Sequence, residues 1–186
     1  MKRAVVCFAL VVAMLGASAR ALTPADLQRL LQREPVRELA FDEVRESPWL
    51  AAPVASRGTL HSNGQRLEKR ITHPRVETWR LLPDRIEWVG ADASQMRQMR
   101  LADAPALATL ASALRHVIAG EVQALERDFV LDLRGDVNGW TLLLNPRTDS
   151  AARQIDHLEL QGAEGQLQQI VVVERQGERT TTRIVR

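Results

Sequence analysis

Four histidines, 23 acidic side chains and one cysteine are the groups in this 186-residue chain from which chemistry would be built. His61, His73, His116 and His157 make a poor metal site: no two lie at helical ligand spacing, and none accompanies a cysteine. His61 and His73 could approach each other across one hairpin. No serine sits in a G-x-S-x-G turn, and no glycine-rich loop has phosphate-binding spacing. The carboxylates mostly stand beside arginines, as in Arg37-Glu38, Arg45-Glu46 and Glu126-Arg127-Asp128, which is the pattern of a solvated face of mixed charge. No residue is nominated as catalytic or as a metal ligand, no cofactor is implied, and an enzyme is not expected.

Binding chemistry has two candidates. The stretch from Arg66 to Arg80 carries Arg66, Lys69, Arg70, Arg75 and Arg80 against Glu68 and Glu77. It is either the outer face of two strands or a positive patch for anionic lipid head groups or an acidic partner. The other candidate is apolar. Phe41, Trp79, Leu81, Ile86, Trp88, Leu133, Leu142, Leu158 and Ile170 alternate along strands, and Leu107, Leu110 and Leu114 recur at helical spacing. Such a set forms a filled core or lines a cavity for an apolar ligand, and composition does not separate the two.

The compartment limits the ligand. Lys2 and Arg3 precede an apolar run from Ala4 to Leu15, and small residues lead to Ala19-Arg20-Ala21. That order is a secretory signal peptide, with cleavage expected after Ala21. The run is short of the ~20 apolar residues a spanning helix needs. Cys7 lies near its start, where no lipid-attachment motif would put it. Cleavage removes three basic residues, so the net charge of +2 becomes −1 and the basic balance belongs to the leader. Nucleic acid is therefore not an expected partner. The mature chain, residues 22–186, has no cysteine, carries no spanning segment, and suits a single monomeric domain.

Thr23-Pro24-Ala25-Asp26 reads as a capped helix start, with Leu27, Leu30 and Leu31 on one face. Strands follow: Leu39 to Val44; a hairpin from Val54 to Thr72 turning at Asn63-Gly64; a second from Thr78 to Val89 turning at Pro83-Asp84; and a weaker strand over Gln95 to Leu101. In the second hairpin Trp79 and Leu81 share one face, as do Ile86 and Trp88. The period then changes to 3.6 over Leu107, Leu110, Ala111, Leu114, Val117 and Ile118, behind Asp103 as cap and Pro105 in the first turn. No charge occurs from Ala104 to Leu114, so this helix is covered or covers something. Gly120 ends it, and Val122 to Leu125 adds a turn. Strands over Phe129 to Arg134, Trp140 to Pro146, around Leu158 and Leu160, Leu167 to Glu174 and Arg179 to Val185 complete the chain. Nine or ten strands joined by short turns predict a mostly antiparallel α+β fold. One sheet of that width curls into an unclosed barrel, with the helices as its lid or plug.

The order of these pieces resembles the LolA family of periplasmic lipoprotein carriers, in particular its divergent branch. The resemblance is carried by "FDEVR", "RLLPDRIEWVG", "LERDFVLDLRGDVNGWTLLLNP" and "IDHLELQGAEGQLQQIVVVERQGERTTTRIV" in that order. It implies a half-barrel that holds the acyl chains of a lipid, lipoprotein or acylated product. The cargo would come from an inner-membrane transporter and go to an outer-membrane acceptor, across the periplasm. Typical carriers have an arginine before a proline at the first hairpin, where this chain has Asn63-Gly64-Gln65, and a further strand where this sequence ends at Arg186. Both departures point from lipoprotein towards another acylated cargo. The alternative reading is a lipid-sensing or docking module of a cell-envelope complex that transports nothing.

Overall fold

The computed structural model describes residues 22–32, 38–62, 66–92 and 94–185. The leader, the stretch from Arg33 to Pro35 and the Asn63-Gly64 turn lie outside those residues.

Helix α1 (Pro24–Leu31) begins as the sequence predicts. Thr23 accepts from the Asp26 amide at 3.1 Å, the Asp26 carboxylate accepts from the Thr23 amide at 3.2 Å, and Leu27 is fully buried. Strands β1 (Glu38–Glu46), β2 (Val54–Ser62), β3 (Leu67–His73), β4 (Glu77–Leu81), β5 (Arg85–Val89) and β6 (Met96–Arg100) follow. After a short 3-10 turn over 101–103 comes helix α2 (Pro105–Ile118), and then a second 3-10 turn over 122–127. Strands β7 (Phe129–Asp136) and β8 (Gly139–Pro146), the one-turn helix α3 (Asp149–Ala152), β9 (Ile155–Ala163), β10 (Gln166–Glu174) and β11 (Arg179–Val185) complete the order.

All eleven strands form one curved antiparallel sheet in the order β6-β5-β4-β3-β2-β1-β11-β10-β9-β8-β7. The two halves of the chain each run as a meander. They join in the middle, where β1 pairs with β11 from Ala40 opposite Val185 to Glu46 opposite Arg179. β6 and β7 are the two edges and do not pair with each other, so the sheet is curved but unclosed.

This topology accounts for the uncharged helix. The chain leaves one edge at β6 and must reach the other at β7, so the connection carrying α2 crosses the concave side. α2 therefore meets both halves. Ala113 and Val117 join the packing on β7–β10, Ala111 joins that on β1–β5, and Leu114 and Ile118 touch both. A face that is wet in an ordinary amphipathic helix is half-covered here.

Two local expectations are corrected. Asp103 does not cap α2: its carboxylate accepts from Arg100 Nε at 3.0 Å, and Ala104 takes the capping position with no side-chain bond. β9 starts at Ile155, ahead of Leu158, and α3 was not expected.

Candidate ligand-binding site

Register and alternation place one row of side chains on the concave face of each strand. In the half built from β7–β10 that face is filled. Phe129, Leu142, Leu144 and Leu158 have no exposed surface, Ile170 is buried, and Leu110, Leu131 and Leu133 pack against them. The helices complete this core through Leu27, Val117, Val122 and Leu125. Each large apolar side chain buried in this way is worth ~1.5–3 kcal/mol. Of the predicted site residues, Leu133, Leu142, Leu158, Ile170 and Leu110 are brought together here.

The other half is built differently. Across β1–β5, Leu39, Phe41, Leu60, Leu67, Leu81 and Ile86 pack with Leu101, Ala111 and Leu107. Beyond the reach of α2 the face is open. Trp79 and Trp88 stand directly opposite each other across β4 and β5, in edge-to-face contact with centroids 6.5 Å apart. With Ile86, Arg97, Gln98 and Met99 they line a trough of about 430 Å³. That volume is within the roughly 300–1,000 Å³ typical of small-molecule sites. Trp79, at 37% exposure, and Met99, at 43%, are the open walls, and Ile86, at 6%, is the floor.

Both indole N–H groups are already engaged. Trp79 Nε1 donates to Glu77 Oε1 at 3.2 Å, and Trp88 Nε1 donates to Glu77 Oε2 at 2.9 Å. One carboxylate thus fixes both rings and leaves ring faces and edges to the trough. On the far side the Arg97 guanidinium lies 5.7 Å from the Trp88 ring centroid.

A polar cluster sits inward of this trough. Lys69 reaches past Gly58 to Glu43, its Nζ donating to both oxygens at 2.6 and 2.7 Å, and lies 5.1 Å from the Phe41 ring centroid. Thr182 Oγ1 donates to Glu43 Oε2 at 2.7 Å. Gly58 is required by close approach, since a Cβ there would stand 1.8 Å from the Arg70 carbonyl oxygen.

The basic stretch loses much of its free charge. Lys69 is held by Glu43, and Arg80 lies 3.0 Å from Glu68 and 3.9 Å from Glu87. Arg66 and Glu68 come within 3.9 Å. Arg70 and Arg75 are exposed. The histidines do not converge either. His61 is opposite Glu68 and His73 opposite Arg57, four residues along β2 and so about 13 Å apart at strand rise. His116 Nδ1 lies 2.7 Å from Glu121 and His157 Nδ1 2.8 Å from Asp156. Among the described residues no group of three or more His, Cys, Asp or Glu side chains could hold a metal ion.

Sequence reasoning singled out Trp79, Ile86 and Trp88 but missed Arg97, Gln98 and Met99. β6 is exposed at every position, so its apolar side chains carry no burial pattern. The Met96-x-x-Met99 spacing, out of step with strand alternation, gave no indication that Met99 faces inward.

A family model for outer membrane lipoprotein carrier protein LolA-like sequences matches residues 16–185. The chain belongs to that family. Among solved structures, this LolA-like chain is similar to a LolA superfamily protein from Nitrosomonas europaea, at 12% identity and a TM-score of 0.48, covering 89% of this chain and 93% of that one. It is also similar to MucB in complex with MucA(peri), at 14% identity and a TM-score of 0.40, covering 88% of this chain and 56% of that one. These likenesses are weak, and family membership rests on the match over residues 16–185. No curated protein matches the sequence. Among the described residues no helix is long and apolar enough to cross a membrane.

Proposed function

We propose that this LolA-like protein is a periplasmic carrier that binds an acyl chain of a lipid, lipoprotein or acylated product and moves it between inner and outer membranes. The observation that carries this reading is the trough between Trp79, Trp88, Ile86 and Met99, an apolar surface on the concave side that the protein's own helix leaves uncovered. Each methylene taken out of water there contributes ~0.8 kcal/mol, so binding needs no reacting group. The leader supports export, with cleavage after Ala21, and an inner-membrane donor and outer-membrane acceptor follow from carriage. The expected cavity residues divide on this reading: Trp79, Ile86 and Trp88 contact ligand, Phe41, Leu81 and Leu107 back them, and Leu110, Leu114, Leu133, Leu142, Leu158 and Ile170 hold the fold.

The filled packing over β7–β10 favours a second reading on its own account, a docking or lipid-sensing module that releases nothing. Native mass spectrometry of the mature protein, purified from its own periplasm without detergent, separates them. A carrier emerges with a substoichiometric, exchangeable acyl-containing species that a membrane vesicle removes. A sensor keeps its ligand through that exchange, and a docking module is empty.

A further inference from the structure

Which end of a ligand would be held, and how, is legible from the polar groups around the trough. Opposite-strand pairing sets Lys69, Trp79, Trp88 and Arg97 in one row across β3–β6. The two cations at its ends differ. Lys69 is neutralised by Glu43 at 2.6 Å, whereas among the described residues no carboxylate pairs with Arg97, whose guanidinium stands over the Trp88 ring. β6 reads Met-Arg-Gln-Met-Arg with no acid, and its second arginine, Arg100, is taken up by Asp103 at 3.0 Å. The indole N–H groups are spent on Glu77. The side-chain donor left to the trough is thus Arg97, since Gln98, opposite Glu87, alternates onto the other face of β6 with Arg100. Glu77 lies on the opposite flank, where it disfavours an anion.

Resting on the acyl-binding reading above, we propose that the trough selects single-chain amphiphiles with an anionic head, a carboxylate or a phosphate. The head is clamped by the Arg97 guanidinium at the β6 edge, and the tail lies along Trp88, Trp79 and Met99 towards Ile86. A guanidinium presents a planar fork of donors that matches either oxyanion, and a charge-assisted bond of this kind is stronger than a neutral one. The Trp88 ring under Arg97 orients the fork and keeps it beside the apolar wall.

The test compares three sixteen-carbon probes that differ only at the head: palmitate, hexadecyl phosphate and hexadecan-1-ol. Each is titrated into the mature protein by displacement of a fluorescent fatty alcohol, at low and at high salt. At low salt the anions bind the wild type about ten-fold or more tighter than the alcohol. Arg97→Gln brings the anions down to the level of the alcohol, weakening them several-fold more than it weakens the alcohol. Arg100→Gln, on the other face of β6, keeps the discrimination. The tighter of the two anions identifies the source as a free fatty acid or a phosphate ester. Equal binding of all three probes to the wild type overturns the head-group assignment while leaving an acyl site. So does an Arg97→Gln variant that weakens all three alike, since Arg97 would then serve only as a lid over Trp88. If no probe binds the wild type, the acyl reading falls as well.

Discussion

The two halves of the sheet carry the same alternation of apolar residues and use it differently. On β8 and β9, Leu142, Leu144, Leu158 and Leu160 are sealed under α1, α2 and the turn at 122–127. On β4 and β5, Trp79 and Trp88 occupy equivalent inward positions, and among the described residues no helix packs over them. The difference is in the crossing helix. α2 has to travel from the β6 edge to the β7 edge, and the chain between it and β7 adds a second layer of contacts on that side. The first half receives α2 along Leu107, Ala111, Leu114 and Ile118 but no second layer, and the helix does not reach the Trp79–Trp88 face. One half becomes a core throughout, and the other keeps, beside its own packed cluster, an apolar surface that has a ligand-sized volume.

The contrast can be broken most severely in the filled half. Leu142→Ala leaves a void under a fully buried side chain and costs about 2–5 kcal/mol, read as a fall in urea midpoint. The same fall is not expected when the trough is cut. Trp79→Ala costs roughly 1 kcal/mol, because its ring is partly solvated, yet it lowers acyl-probe affinity several-fold. Were the two variants to lose stability equally, the open half would be a core as well.

Between them lies the ion pair on the concave face. Lys69→Met leaves the Glu43 carboxylate with the Thr182 hydroxyl as its closest donor, and loses about 1–3 kcal/mol in equilibrium unfolding. Glu43→Gln in the same background recovers part of that loss, since an uncharged amide is easier to bury. Recovery would show that the pair acts by mutual neutralisation.

The smallest effect sharpens the account of the β10 end. Burial, then the charge of Glu178, raise the Glu174 carboxyl above its ordinary value, against a weaker opposing pull from Arg45. A carboxyl with a raised folded value is penalised when ionised, and the penalty disappears as pH falls below its ordinary range. Glu174→Gln is therefore slightly more stable than wild type at pH 7. The advantage fades towards about pH 3 in a melting-temperature series.

Much of this fold was legible. The capping box at Thr23, the inward facing of Trp79 with Leu81 and of Ile86 with Trp88, and the half-barrel itself follow from periodicity and strand number. The division into filled and open halves did not follow, because Leu142 and Trp88 look alike to a pattern of period two. What separates them is the path of α2, a relation between strands at opposite edges of the sheet. Arg97 and Met99 were hidden for another reason: an edge strand exposed along its whole length has no burial contrast to betray its inner face. The Lys69–Glu43 contact escaped because it runs diagonally across Gly58, over a gap that no sequence spacing marks. The basic stretch from Arg66 to Arg80 was correctly seen as charged, but its Arg66, Lys69 and Arg80 are compensated by Glu43, Glu68 and Glu87, two of which lie outside it.

The central claim is that ligand enters the open half and stays out of the filled one, and the tryptophans are placed to report on it. Trp79 and Trp88 line the trough, Trp140 is buried in the filled half with its Nε1 unpartnered, and Trp49 is 75% exposed on a loop. A variant with Trp49→Phe and Trp140→Phe leaves only the trough pair fluorescent, and a second with Trp49→Phe, Trp79→Phe and Trp88→Phe leaves only Trp140. Titrating each with a bromine-labelled stearate measures quenching at short range. The account predicts saturable quenching in the first variant and none in the second; quenching of Trp140 with the trough pair unaffected would contradict it.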